Sequence, residues 1–330
     1  RNILNEIRAE APQIDDVRRL RDELRAWLVE TPVIHCRNLE RQLGNDIEIW
    51  GKLEFLQQTG TFKTRGALAT VLGLTEDELA AGITAVSAGN HAIAAAFAAK
   101  AVGTTAKVVM MRSANPARVA ACEAYGAEVI MSDDAHSAFA LAEKIQRDEG
   151  RFFVHPFEGK SVVSGTATVG LEICEQIGAF DALICPIGGG GLCAGVSSAV
   201  KQLNPDSEVF GVEPTGADSM RLSFLQGKAT RVEEVNTIAD SLGAPFALPY
   251  SFSVCHQNVD ELVMVDDDAL RDSMGLLFRE MKLAVEPACA ATTAAISGPL
   301  KERLSGKKVV LVFCGSNIDA QTYLRQAHLT

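Results

Sequence analysis

Four consecutive glycines, Gly188 to Gly191, follow an apolar run at 182–187 and precede a segment, 192–203, in which Leu192, Val196, Ala199, Val200 and Leu203 recur at helical spacing. Backbone without Cβ atoms can turn several peptide N–H groups into one concavity. At a helix N-terminus those groups and the positive end of the dipole face the same point, which makes an anion site suited to a phosphate. An ATP-type loop would continue with Lys and then Ser or Thr; Leu192-Cys193 follows here and excludes it. Gly189, Gly191 and Ala194 fit the spacing G-x-G-x-x-A, with Glu213 near the ribose-binding position. An NAD-binding oxidoreductase therefore stands as the alternative, and a plain glycine turn that lets a helix pack close to a sheet is the third reading.

Three further segments carry side chains able to act on a phosphate-bearing ligand. Lys63 lies in Thr61-Phe62-Lys63-Thr64-Arg65-Gly66-Ala67, beside an aromatic ring and at the start of a small-residue helix. Burial there disfavours the ammonium, and a neutral amine can form an imine with an aldehyde. Ser87-Ala88-Gly89-Asn90-His91-Ala92 closes a strand and opens a helix, giving a second N-terminus framed by small residues and sized for a carboxylate. Taken alone it also reads as an ordinary helix cap. Phe313-Cys314-Gly315-Ser316-Asn317 follows the last strand, at the carboxyl edge where open α/β sheets bind ligands. Cys314 alone also reads as a buried structural thiol.

These segments need elements to hold them, and the sequence supplies an alternation. Residues 47–53, 83–87, 107–111, 128–131, 152–155, 182–187, 208–213 and 308–313 read as strands, and 14–28, 91–101, 116–125, 137–148, 275–282 and 288–304 as helices. Such alternation implies an α/β fold of parallel sheets with helices on both faces. A length of 330 residues suits about two domains. At 47% hydrophobic and 22% charged, the chain has ample material for a core. Its net charge of −11 argues against a nucleic-acid partner, whose backbone is held by Lys and Arg. No apolar run is long enough for a bilayer, and no basic-then-apolar leader opens the chain. The eight cysteines include no C-x-x-C pair and the six histidines no H-E-x-x-H. A reduced, cytoplasmic protein without zinc or a catalytic metal is expected.

Together the four segments resemble the fold type II pyridoxal-phosphate enzymes, most closely the serine/threonine dehydratase family that includes serine racemase. The resemblance runs from residue 14 to residue 320. TFKTRGA matches the family's S-F-K-x-R-G-A, with Thr61 for the usual serine; SAGNHA matches S-[SA]-G-N-H, and the four glycines match its phosphate loop. The resemblance implies two intertwined domains, each a mainly parallel twisted sheet flanked by helices. Residues 1–66 and 158–330 would form the large domain, and 67–157 the small domain with the carboxylate loop. Lys63 would hold pyridoxal 5'-phosphate as an imine and act as the Cα base, with Phe62 against the pyridine ring. Gly188, Gly189, Gly190, Gly191 and Leu192 would surround the phosphate, Asn90 would reach the ring hydroxyl, and Cys314 would face the pyridine nitrogen. Ser87, Ala88, Gly89, Asn90 and His91 would hold the substrate, and Asp240 would approach its hydroxyl.

Two of these positions bear on the reaction. A thiol cannot force protonation of the ring nitrogen as a carboxylate would, so prompt loss of a β-hydroxyl competes well with a long-lived carbanion. Ala88 stands where serine racemase carries a second serine that exchanges the Cα proton opposite the lysine; racemisation needs acid–base groups on both faces, elimination on one. The resemblance thus implies a homodimer that converts a β-hydroxy-L-amino acid, foremost L-threonine or L-serine, to a 2-oxo acid and ammonia. A 3-hydroxyaspartate or phenylserine type of substrate, or racemisation of serine, is the alternative within the family. Glu213, Ala217 and Ser219 resemble its structural cation site. With Ser219 where racemase-like members carry an acid, K+ or Na+ is expected rather than Mg2+; Glu213 also reads as a surface acid at a strand end. Glu158 stands in a segment where the family usually has paired aspartates, and Ser164-Gly165-Thr166-Ala167-Thr168 replaces A-G-Q-G-T. Both regions lie near the site in the family, so the departures leave the substrate side chain open. With the sequence ending soon after Asn317, no regulatory domain is expected.

Overall fold

Two sheets organise the chain in the computed structural model, which describes residues 9–87 and 89–329. The larger runs β1 (Val33–His35), β2 (Glu48–Leu53), β10 (Lys308–Phe313), β7 (Ala182–Pro186), β8 (Glu208–Pro214) and β9 (Glu261–Val265). The smaller runs β5 (Glu128–Ser132), β4 (Ala106–Met111), β3 (Ile83–Val86) and β6 (Phe152–Phe153). Every pairing is parallel except β1 with β2. Parallel sheets are covered on both faces, so their strands are apolar throughout rather than alternating. All of β7 is buried, and so is β10 from Val309 to Phe313. Among the described residues no helix is long and apolar enough to cross a membrane.

The strands read from the sequence are present, with β6 ending at Phe153 rather than at His155. There the His155 Nδ1 accepts the N–H groups of Phe157 and Glu158 and turns the chain at Pro156. Strands β1 and β9 were not expected. They are the two edges of the larger sheet, where part-exposed residues dilute the apolar signal. The helix Lys160–Ile177 was not expected either, because it is buried on most sides and so lacks a polar face. The segment at 288–304 breaks into a 3-10 turn, Pro287–Ala290, and the helix Ala291–Ser297. That at 275–282 is the end of the helix Asp267–Leu276 and one π turn, stopped at Lys282 with φ +60°.

One regularity positions everything that follows. The carboxyl ends of β2, β7, β8 and β10 lead into the segments that open with Glu54, Ile187, Thr215 and Cys314, and β3 of the other sheet leads into Ser87. The expected chemistry sits at strand ends, where open α/β sheets bind ligands.

Candidate active site

Lys63 opens the helix Lys63–Leu72 and is held from below. Thr61 bridges to Gly315, and the Phe62 N–H donates to the Cys314 carbonyl at 3.2 Å, so the lysine and cysteine segments lie side by side. Two residues on, Arg65 is fully buried and uses all five donors. It donates twice to Glu54 at 2.7 and 2.8 Å, twice to Glu172 at 2.8 Å, and to the Thr168 hydroxyl at 2.9 Å. The Lys63 Nζ donates to the Pro156 carbonyl at 2.7 Å and lies 5.3 Å from the centre of the Phe62 ring. Burial lowers its pKa to about 8, against an upward pull from Cys314 and Glu286.

The four glycines line the same cavity, facing Phe62, Lys63, Asn90 and Cys314. A Cβ on Gly191 would lie 2.7 Å from the Phe157 carbonyl oxygen, one on Gly189 would enter the Phe157 ring, and Gly190 has φ +99°. The loop is therefore bare backbone by necessity, at the head of the helix Gly191–Leu203 whose first N–H groups have no helical partner. These residues fit a phosphate. Beside them Cys314 is buried, and contact with Cys289 together with burial keeps its thiol protonated.

Asn90 heads the helix Asn90–Val102. Its Nδ2 donates to Ser241 Oγ and to Glu286 at 3.0 Å, and its Oδ1 accepts from Asn317 Nδ2 at 2.9 Å. Glu286 also accepts the Asn317 N–H at 2.9 Å, and burial pushes its pKa up. The sequence reading missed Glu286, although a lone acid in the apolar run Leu283-Ala284-Val285-Glu286-Pro287-Ala288 was a usable signal. His91 donates from Nε2 to the Val154 carbonyl at 2.7 Å; burial lowers its pKa to about 3 and that of His155 to about 4, so both rings are neutral.

A wider cavity of about 250 Å³ adjoins Lys63 and is bordered by Ser87, Gly89, Asn90 and His91. Phe139, Ala244, Pro245 and Phe246 also line it. Asp240 stands at its rim, half-exposed and paired with Arg118 at 2.8 Å. Ala88 lies outside the described residues. Residues 164–168 adjoin the site without lining the wider cavity. Thr166 donates to the Gly191 carbonyl at 2.7 Å and Thr168 accepts from Arg65, so this segment braces the glycine loop and the lysine helix. Glu158 caps the helix Pro249–Asn258, accepting from the N–H groups of Tyr250 and Ser251. Glu213 is not a surface acid: it is fully buried, accepts the N–H groups of Met220 and Arg221, and burial raises its pKa to about 8. The nearby Ser219 Oγ is buried without a partner among the described residues.

Two sheets that bring a buried amine and a Cβ-free anion cradle to their common carboxyl edge make the arrangement of the fold type II pyridoxal-phosphate enzymes. Residues 25–315 match the family described as "Pyridoxal-phosphate dependent enzyme", and the chain belongs to that family, whose cofactor is pyridoxal phosphate. It is 51% identical over 318 residues to a phenylserine dehydratase of Ralstonia pickettii, covering 96% of this chain and 97% of that one. It is 36% identical over 307 residues to an L-threonine ammonia-lyase of Thermotoga maritima, covering 93% and 76%. The structure of maize serine racemase superposes with a TM-score of 0.90 at 33% identity, over 97% of this chain and 98% of that one. The dinucleotide alternative is displaced.

Proposed function

We propose that the protein is an ammonia-lyase that dehydrates and deaminates β-hydroxy-L-amino acids to 2-oxo acids. The observation that carries this reading is the Lys63 amine, its pKa lowered to about 8 by burial, opening into the cavity bordered by Ser87, Gly89, Asn90 and His91. By the resemblance, Ala88 stands where racemases carry the exchanging serine, and alanine has no proton to give. Elimination needs one base at Cα; racemisation needs a second group opposite it. Bound pyridoxal phosphate supplies the electron sink for the charge that develops at Cα. Lys63 would hold the cofactor and, with its amine free, take the Cα proton on its Nζ. Ser87, Gly89 and the His91 backbone would receive the substrate carboxylate. Gly188 to Leu192 would hold the phosphate, and Phe62, Asn90 and Cys314, which line the same cavity, would surround the ring.

Threonine and serine are the first substrates to test. Phe139 and Phe246 in the lining of the cavity and the relative named phenylserine dehydratase support 3-phenylserine-type substrates beside them. A β-carboxylate is less well served, since Arg118 is already paired with Asp240. For the cation, the orphaned Ser219 Oγ and the buried Glu213 support a K+ or Na+ ion completed by the Ala217 carbonyl. We take residues 67–157 as the small domain, 1–66 and 158–330 as the large one, and the working form as a cytoplasmic homodimer, as the resemblance implies. The test is ammonia and oxo-acid release from L-threonine, L-serine and L-threo-3-phenylserine, with chiral chromatography of residual serine. Lys63→Ala should abolish turnover, and Ala88→Ser should raise racemisation relative to elimination. D-Serine formed by the native enzyme as fast as pyruvate would refute the reading.

A further inference from the structure

Arg118 lies outside every segment that drew attention in the sequence, on the helix Pro116–Ala124 that follows β4 of the smaller sheet. Its side chain nevertheless leaves that sheet and crosses to the larger one. Nη2 and Nε donate to the Asn317 carbonyl at 2.8 and 3.2 Å, and Nη1 donates to Asp240 at 2.8 Å. On the way it runs flush against Gly89, where a Cβ would come within 2.6 Å of its Cδ and Nη1. The guanidinium stands in the wall between the cavity at Lys63 and a second cavity of about 540 Å³ lined by Asn115, Ile238, Pro287 and Asp319. The same helix start makes another crossing, from Asn115 Nδ2 to Asp319 at 2.6 Å.

The Asn317 residue that Arg118 grips is itself a junction. Its side chain donates to Asn90 Oδ1 and to the Thr59 carbonyl, and its N–H donates to Glu286. Arg118 therefore bears on the 87–91 loop twice, directly at Gly89 and indirectly through Asn317 and Asn90. We propose that Arg118 is a positioning residue for substrate-carboxylate recognition, bracing the 87–91 loop from behind so that its donors keep the spacing a carboxylate requires. This rests on the assignment of that loop to the substrate carboxylate. Guanidinium suits the task because one planar group reaches a carbonyl and a carboxylate at once, which a lysine's point charge does not. The two arms are unequal: Arg118 is 12% exposed and Asp240 54%, so salt screens the Asp240 arm alone.

The test compares two ligands of the holoenzyme that lack a β-hydroxyl, L-alanine and its carboxylate-free counterpart ethylamine, titrated by the absorbance of the cofactor. Arg118→Met should weaken L-alanine binding roughly ten- to a hundred-fold, as loss of one or two charge-assisted bonds implies, and leave ethylamine within about two-fold. KM for a β-hydroxy amino acid should rise with it while kcat changes by less than about three-fold. Arg118→Lys should recover part of the loss. Asp240→Asn should reproduce the smaller share, and high salt on the native enzyme should mimic Asp240→Asn. Equal losses for both ligands, or none for either, would overturn the inference, and so would an unchanged KM in Asp240→Asn should Arg118→Met fail to fold. If the native holoenzyme binds ethylamine but not L-alanine, it is the amino-acid function that fails; if it binds L-alanine and Arg118→Met does too, only the role of Arg118 fails.

Discussion

On the role proposed for Lys63, its burial sets how readily the enzyme captures its cofactor, and the effect is large enough to measure. An amine reacts with an aldehyde only when neutral. With a pKa of about 8 instead of the ordinary 10.5, the neutral share at pH 7 is about 9% rather than ~0.03%, a gain of roughly 300-fold in reactive amine. The assay is the rate at which apoenzyme forms the Schiff base with pyridoxal phosphate, followed by absorbance at a series of pH values. The rate should rise with pH and level off near pH 8. Glu286→Gln removes a carboxyl that favours the ammonium, so the bend should move down and never up. The same shift has a sign for stability. Between about pH 8 and 10.5 the unfolded apoprotein binds the proton that the folded one has released, so this group makes the folded state more stable as pH rises through that window. A capture rate that keeps climbing tenfold per pH unit to pH 10, in the manner of an exposed lysine, would refute the argument.

Arg65→Met should lower the Tm sharply, because it leaves the buried Glu54 with the Thr31 hydroxyl and Glu172 with Lys52 as the remaining partners; a loss of about 3–5 kcal/mol is expected, and a Tm within the error of the native value would contradict the five-bond account. Gly189→Ala should raise the cofactor Kd at least about ten-fold in equilibrium dialysis, since the new methyl meets the Phe157 ring and the loop must shift. Glu213, with its pKa raised to about 8 by burial, contributes stability at acid pH that is lost as pH climbs from about 4.5 through 8. Saturating K+ should flatten that fall in Tm relative to a tetramethylammonium buffer, and identical profiles in the two would remove the cation.

The site was legible in the sequence wherever a local backbone demand wrote itself into consecutive residues. Gly189 and Gly191 are bare because Phe157 leaves no room for side chains, Gly190 because of its positive φ and Met220, and four glycines in a row say so. Lys63 and Asn90 announce themselves by heading helices after strands. What could not be read depends on side chains that meet only after folding. Arg118 looks like any basic residue on an exposed helix until Asn317 and Asp240 arrive 199 and 122 residues later. Thr166 and Glu158 are legible as departures from the family's pattern near the site, but their partners are not; one braces a carbonyl and the other caps a helix. The helix Lys160–Ile177 stayed invisible for the opposite reason, since burial on most sides erases the periodicity that reveals a surface helix.

The position of β10 governs when such a site can exist during synthesis. It is the last strand of the described chain, yet it lies in the interior of the larger sheet, between β2 and β7. Until it arrives, β2 and β7 present open ladder edges to solvent, of the kind that invite association with other chains. The antiparallel pair of β1 and β2 has no other strand among the described residues to join it to the sheet. Pairing across such separations in sequence is slow and leaves partly folded chains exposed to aggregation. Cys314 and Asn317 follow β10 directly, so the cofactor cradle is completed by the same event that seals the sheet. A ribosome-bound chain lacking its final segment therefore holds a lysine and four glycines with nothing to unite them, and cofactor capture becomes a signal that the molecule has closed.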